Sequence, residues 1–350
     1  MKLPAFRHFM AAFFIIFIIF FVSACSNAPE TRAPEAVSEE YPPIPLPNED
    51  EDLPVSAFGE IWVYVVVGRE AALVRGLPLS DIGYFGAEVD SYGKLTGVPS
   101  RRTLPAFSGM VHLVVSCNGR ALSYFALRPG SAERRELIAD LLAATREYDG
   151  LQINFDNIPP RAGEAYFTFL QELRSGLGNK MLSVALAART RKLADDVYDY
   201  EKILPYVDRI LVMAYDEHWS GCRPGSVASL DWCRRVADYS LRVIGQEKLI
   251  MGLPFYGRAW GDYSPSRALV YTTTERIINE NNVTEIQREN GIPVFDYNKD
   301  VSIKVYFEDA YSLAVRMDMY KTIGVDSVGF WRLGQETSQV WNYLKLGSGE

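Results

Sequence analysis

The run Asp149-Gly150-Leu151-Gln152-Ile153-Asn154-Phe155-Asp156 alternates apolar and polar residues from its glycine onward. Side chains on an extended strand point to opposite faces in turn. Leu151, Ile153 and Phe155 therefore share one face, and Gln152, Asn154 and Asp156 share the other. Three polar groups on a buried face are costly unless they bond one another or a ligand. A self-satisfied polar layer would meet that demand, and so would a binding site. The ends of other apolar runs favour the site: Tyr215-Asp216, then Tyr256 and Arg258, then Trp331. Any one of these aromatics reads as core. Together, at the same end of successive strands, they read as a groove that stacks sugar rings and bonds their hydroxyls.

The elements that would hold these residues are legible as apolar runs: Ile61–Val67, Ile82–Phe85, Val111–Val115, Leu151–Phe155, Met181–Ala187, Ile210–Tyr215, Leu249–Phe255 and Ser327–Trp331. Helix-length amphipathic segments separate several of them. Ser131 is placed to cap a helix that buries Leu137, Ile138, Leu141 and Leu142, and Ala165–Leu177, Leu230–Val243 and Ala310–Thr322 repeat the pattern. Near-continuous apolar strands alternating with helices imply a parallel sheet covered on its outer face. Eight such units predict a closed α/β (β/α)8 barrel, whose active site lies at the C-terminal ends of the strands. An open doubly wound sheet is disfavoured, because Val67-Gly68-Arg69-Glu70 offers no Gly-rich phosphate turn after the first strand. The long connection from Tyr263 to Glu308, with a helix at Thr274–Asn281, predicts a small α+β insertion between strands seven and eight.

The motifs resemble glycoside hydrolase family 18. Asp149 to Asp156 is similar to that family's DGxDxDxE signature, and Met213-Ala214-Tyr215-Asp216 to its sixth-strand motif. Trp331 stands where its eighth-strand tryptophan lies under the sugar. Val212 to Trp219, Pro224 to Asp231, Gly252 to Arg258 and Tyr306 to Ala310 resemble the branch of peptidoglycan-lytic enzymes from spore germination. The likeness runs from about Ile61 to Leu346. It implies substrate-assisted cleavage beside an N-acetylated sugar, with no cofactor: an acid protonates the departing oxygen while the sugar's acetamido oxygen attacks the anomeric carbon. Carried over, the acid is Asp156, the stabilising position Asn154, and the pair holding the acetamide Tyr215 and Asp216. Gln152, Met213, Tyr256, Arg258, Trp331 and Trp219 become substrate contacts.

Two departures fall on the chemistry. Asp156 replaces Glu and is one methylene shorter, ending about 1–1.5 Å short, a displacement that can cost about 100-fold. Asn154 replaces Asp and cannot offset a developing cation, a loss of about 2–4 kcal/mol in a dry site. Gln152 removes a third charge, and Asp216 is the nearest replacement for what is missing. Three functions follow: a slow or retuned glycosidase on a GlcNAc-containing polymer, a sugar-binding protein that no longer cleaves, or an envelope scaffold. His218 invites a general-base role but reads better as a bystander. Glu308 and Asp309 read as braces for the insertion.

Composition sets the surroundings. Lys2, Arg7 and His8 precede an apolar run, Phe9 to Val22, shorter than the roughly 20 residues of a spanning helix. It ends at Val22-Ser23-Ala24-Cys25, which resembles a bacterial lipobox. Residues 1–24 are therefore expected to be a signal peptide, and Cys25 the lipid-bearing residue that anchors the chain to a membrane outside the cytoplasm. Residues 25–57, acidic and Pro-rich, are expected to form a tether, with the domain spanning 58–350. Of the net charge of −8, Ser26–Pro54 carries −7, and the chain after it only −3. No basic stripe for nucleic acid is present. The three histidines show no zinc spacing. Cys222 and Cys233 are the closest pair of the remaining thiols, bridged or free.

Overall fold

The computed structural model describes residues 44–48, 52–261, 264–299 and 301–347. The expected signal segment 1–24, Cys25 and the expected tether up to residue 43 lie outside the described residues. Eight strands form the barrel: Glu60–Val66, Asp81–Val89, Met110–Cys117, Gly150–Phe155, Met181–Ala187, Arg209–Met213, Leu249–Pro254 and Ser327–Trp331. Each pairs in parallel with the next, and the eighth pairs with the first (Ser327 opposite Glu60), so the ring closes. The (β/α)8 expectation holds.

Alternation along these strands makes two cores. Outward residues such as Val63, Ile82, Leu113, Ile153, Val184 and Val212 join one large cluster beneath the helices. Inward residues Trp62, Tyr64, Val114, Ala185, Leu211 and Ile250 fill the barrel. The helices are α1 (Arg120–Ala126), α2 (Ala132–Ala144), α3 (Gly163–Leu177), α4 (Tyr200–Ile203), α5 (Leu230–Ile244), α6 (Tyr271–Glu280) and α7 (Ala310–Thr322), of which α6 belongs to the insertion and the others cover the barrel. Ser131 caps α2 as expected, its hydroxyl accepting the Arg134 N–H at 3.1 Å. The first two crossovers differ from the expected pattern. They carry no α-helix: the first has a single 3-10 turn, the second a two-residue strand (Leu95–Thr96) and a 3-10 turn, and Leu73, Leu79, Leu104 and Phe107 cover the sheet there.

The lower end of the barrel, at the start of the strands, is polar and largely bonded within itself, with only His112 Nδ1 left without a partner among the described residues there. Arg209 Nε donates to Glu60 Oε1 at 3.0 Å, the Trp62 indole donates to Glu60 Oε2, and His112 Nε2 meets Asp81 Oδ1 at 2.8 Å. Trp62 and His112 stack with ring centroids 4.2 Å apart. Gly83 is needed beside them, because a Cβ there would lie 2.8 Å from the Tyr64 ring.

The insertion is a five-stranded antiparallel sheet with α6 packed on it through Ile277. Its first strand, Gly257–Gly261, follows strand seven after only two residues and begins ahead of Tyr263, where the sequence places the start. Glu308 closes the insertion with a buried two-point ion pair to Arg316 of α7, both bonds 3.0 Å. Asp309 caps α7 and bonds Arg288 of the insertion at 2.8 Å.

The acidic Pro-rich stretch is not clear of the domain up to Phe58, and the sequence boundary is corrected accordingly. Ile44 and Leu53 pack on Leu230, Tyr311 and Val315, and the Tyr311 hydroxyl donates to the Pro47 carbonyl at 2.6 Å. Scattered apolar residues find a groove between α5 and α7, which outweighs the ordering cost of so few positions. Ser56–Phe58 also pairs in parallel with Leu344–Leu346, tying both ends of the domain together.

Candidate active site

Strand four delivers its alternate residues as its pattern requires. Leu151, Ile153 and Phe155 pack under the helices, and Gln152, Asn154 and Asp156 are the other set. Gln152 is fully buried, accepting from the Tyr64 hydroxyl through Oε1 and donating to Ser183 Oγ through Nε2 at 3.1 Å. Its amide is committed on both sides, so the expected contact between Gln152 and a sugar is corrected. It is a strut beneath the site.

One step higher, Asn154 is 8% exposed and its Oδ1 has no hydrogen-bond partner among the described residues. A buried carbonyl left so is costly, and a ligand N–H would relieve it. Asp156 follows, also 8% exposed. Its backbone is held by strand three and α1: its N–H donates to Cys117 O at 3.2 Å, and its own carbonyl accepts from Ser123 Oγ at 3.4 Å. Burial alone pushes the Asp156 carboxyl up to about 7. It therefore holds a proton through the lower half of the physiological range and can give it up, as a general acid must.

Strand six brings Tyr215 and Asp216 to the same mouth. The strand ends at Met213, and Asp216 adopts a left-handed backbone (φ 59°) that turns the chain away. Gly252 of strand seven leaves room for Tyr215, since a Cβ there would lie 3.0 Å from its ring and 2.7 Å from Val212 O. Burial and the nearby Asp156 and Asp216 carboxylates hold the Tyr215 phenol well above its ordinary range, so it is a donor throughout. Arg258 Nη2 donates to Asp216 Oδ1 at 2.7 Å, and Tyr256 lies edge-on to Tyr215 with ring centroids 6.4 Å apart. The charge of Asp216 is thus already answered. It does not stand in for the charge missing at Asn154.

Trp331 ends strand eight half-buried, its ring 5.1 Å from Tyr64 and 5.3 Å from Phe85, the latter edge-on. Met213 packs on the same inner cluster. Trp219 lies over Gly221, where a Cβ would come within 2.5 Å of its ring, and His218 Nδ1 is engaged with Ser226 O at 2.9 Å. That bond holds His218 to its own loop. Cys222 and Cys233 are not bridged to each other, and Cys117 and Cys233 are buried.

Sequence reasoning missed Tyr64, Phe85 and Tyr198. The first two have the inward parity of strands one and two, which was signal enough. Tyr198 had none: its hydroxyl accepts from Ile158 N and donates to Phe155 O, both at 2.9 Å, pinning the turn after the acid from a segment without periodicity.

The family model for glycosyl hydrolases family 18 matches residues 102–336. The uncharacterized glycosylase YvbX of Bacillus subtilis is 29% identical over 219 residues, covering 59% of this chain and 63% of that protein. The cortical fragment-lytic enzyme of the same organism is 28% identical over 227 residues, covering 60% of this chain and 53% of that one. The chain therefore spans between half and two thirds of these relatives' lengths. Among solved structures, the Bacillus cereus spore cortex-lytic enzyme SleL superposes with a TM-score of 0.74 at 21% identity, covering 82% of this chain and 74% of its own. A chitinase from Chromobacterium violaceum gives 0.70 at 20% identity, covering 81% and 97%. A closed barrel with its signature strand at the mouth and a family match over most of its length lead to one assignment: the chain belongs to glycosyl hydrolases family 18.

Proposed function

We propose that this chain is a slow, retuned glycosidase that cleaves a polymer containing N-acetylated amino sugars, peptidoglycan first among them, while lipid at Cys25 holds it to a membrane outside the cytoplasm. The observation that carries the reading is the buried Asp156 carboxyl, raised to about 7 at the mouth of the barrel.

In the proposed step, Asp156 gives its proton to the glycosidic oxygen as that oxygen leaves the anomeric carbon. The substrate's acetamido oxygen closes onto the same carbon and yields an oxazolinium. Water then opens the ring, and the Asp156 carboxylate takes back the proton that water loses. The unpartnered Asn154 Oδ1 accepts the acetamide N–H, the Tyr215 phenol bonds the acetamide from the other side, and Trp331 lies under the sugar ring.

One observation favours a second reading, binding without cleavage. Asn154 carries no charge and Asp216 is paired with Arg258, so of the described strand-four and strand-six residues only Asp156 is left to face the cation, and it gains its charge only as its proton leaves. The purified protein distinguishes the two when GlcNAc oligomers and sacculi are offered together with the variants Asp156→Ala and Asn154→Asp/Asp156→Glu. Turnover lost in the first and raised by about 10³-fold or more in the second supports the slow enzyme. Binding with no product from any form supports the second reading. Absence of binding to any N-acetylated glycan sinks both.

A further inference from the structure

On the side of the mouth away from Trp331, a second aromatic surface stands beside the acid. Tyr124 of α1 is 38% exposed, and the Arg161 guanidinium lies over its ring at 4.1 Å. α1 follows strand three and Arg161 follows strand four, so both belong to the C-terminal rim. Ser123, next to Tyr124, is the residue whose hydroxyl reaches the Asp156 carbonyl. Arg120 lies four residues before Tyr124, on the same helix face, and is also exposed. No ion pair within 4.0 Å ties Arg120 or Arg161 to a carboxylate among the described residues, whereas Arg258 at the same mouth is paired with Asp216. Two guanidiniums without carboxylate partners thus stand at an exposed tyrosine on the rim, one of them over one face of its ring. The ring offers a face for a sugar, and the arginines offer paired donors for a carboxylate.

From this juxtaposition we infer that Tyr124, Arg161 and Arg120 form a subsite for a carboxylate-bearing amino sugar, so that the groove selects acidic glycan strands over neutral ones. The inference rests on the glycan reading of the site and adds to it the class of sugar on the far side of Asp156. A neutral GlcNAc polymer would use the tyrosine face but leave the guanidiniums without a partner. A muramic acid residue presents a carboxylate through its lactyl arm or, where that arm is amidated, through the stem peptide.

Isothermal titration of the protein with three tetrasaccharides tests this: a GlcNAc–muramic acid strand freed of peptide, the same strand with its carboxyls reduced to alcohols, and the peptide-bearing strand. The peptide-free acidic strand should bind about fivefold more tightly than the reduced one at low salt, and the ratio should shrink as salt is added. In Arg161→Gln the ratio should fall to about one, and Arg161→Lys should restore part of it. An Arg161-dependent gain confined to the peptide-bearing strand supports the subsite with the stem as the source of charge. Equal binding of all three, or a gain that survives Arg161→Gln, overturns the inference and leaves the glycan reading standing. No binding of any strand overturns that reading as well. Arg161 is exposed, so the variant should keep its thermal unfolding temperature.

Discussion

Replacing Asp156 by asparagine leaves the shape of the site almost unchanged and removes its one strongly perturbed acid. The carboxyl has an ordinary value of 3.8 and is raised to about 7 in the folded chain, with burial as the cause. Below pH 3.8 it is protonated whether the chain is folded or unfolded, and its titration contributes nothing to the balance. Between 3.8 and about 7 the folded chain keeps a proton that the unfolded chain has lost, so stability falls as pH rises. Above about 7 both forms are ionised and the full penalty is present. At 1.36 kcal/mol per unit, a displacement of about three units is worth about 4 kcal/mol. Asparagine never ionises and escapes this cost. Urea unfolding of wild type and Asp156→Asn at pH 4.5, 6, 7.5 and 8.5 isolates the effect, because Glu308 and Glu336, also raised by burial, are common to both proteins. The variant's relative stability should increase by about 3–4 kcal/mol from the lowest to the highest pH. A difference that stays constant across the range would refute the argument that Asp156 is desolvated, and with it the case for Asp156 as a general acid near neutrality.

Two further outcomes follow from the packing. Arg316→Met leaves the Glu308 carboxylate buried opposite an apolar side chain, and denaturant unfolding should show a loss of about 3–5 kcal/mol. Ser131→Ala removes the cap of α2 at a cost of about 1 kcal/mol, measurable as a lower urea midpoint with unchanged slope.

Local pattern was enough wherever an element is defined by its own periodicity. Met181–Ala187, Ser327–Trp331 and Ala310–Thr322 have the same ends in sequence and structure. Strand two runs four residues further than its apolar run, because Gly86 and Glu88 interrupt the hydrophobicity while a bulge between Phe85 and Ala87 keeps the pairing. Strand six stops before Tyr215 because Asp216 takes a turn conformation that its residue type permits but does not announce. What was not legible depends on partners distant in sequence. The commitment of Gln152 to Tyr64 spans 88 residues, and that of Asp216 to Arg258 spans 42. Both change what the residue can offer a substrate, and neither leaves a mark on its own strand. The docking of Ile44 and Leu53 was hidden for a related reason, since isolated apolar residues among prolines carry no period. The positions of Asp156, Asn154, Tyr215 and Trp331 were readable because alternation fixes parity, and a closed barrel turns parity into inside or outside.

The seam between the first and last barrel strands has a kinetic meaning. Glu60 to Val63 bond to Ser327 to Phe330, and the outer pair Ser56–Phe58 waits for Leu344–Leu346. The opening strand therefore keeps one edge without its mate until the last barrel strand has been brought round to it. Such distant pairing slows folding and leaves a bare hydrogen-bonding edge on the incomplete sheet, where strangers can attach.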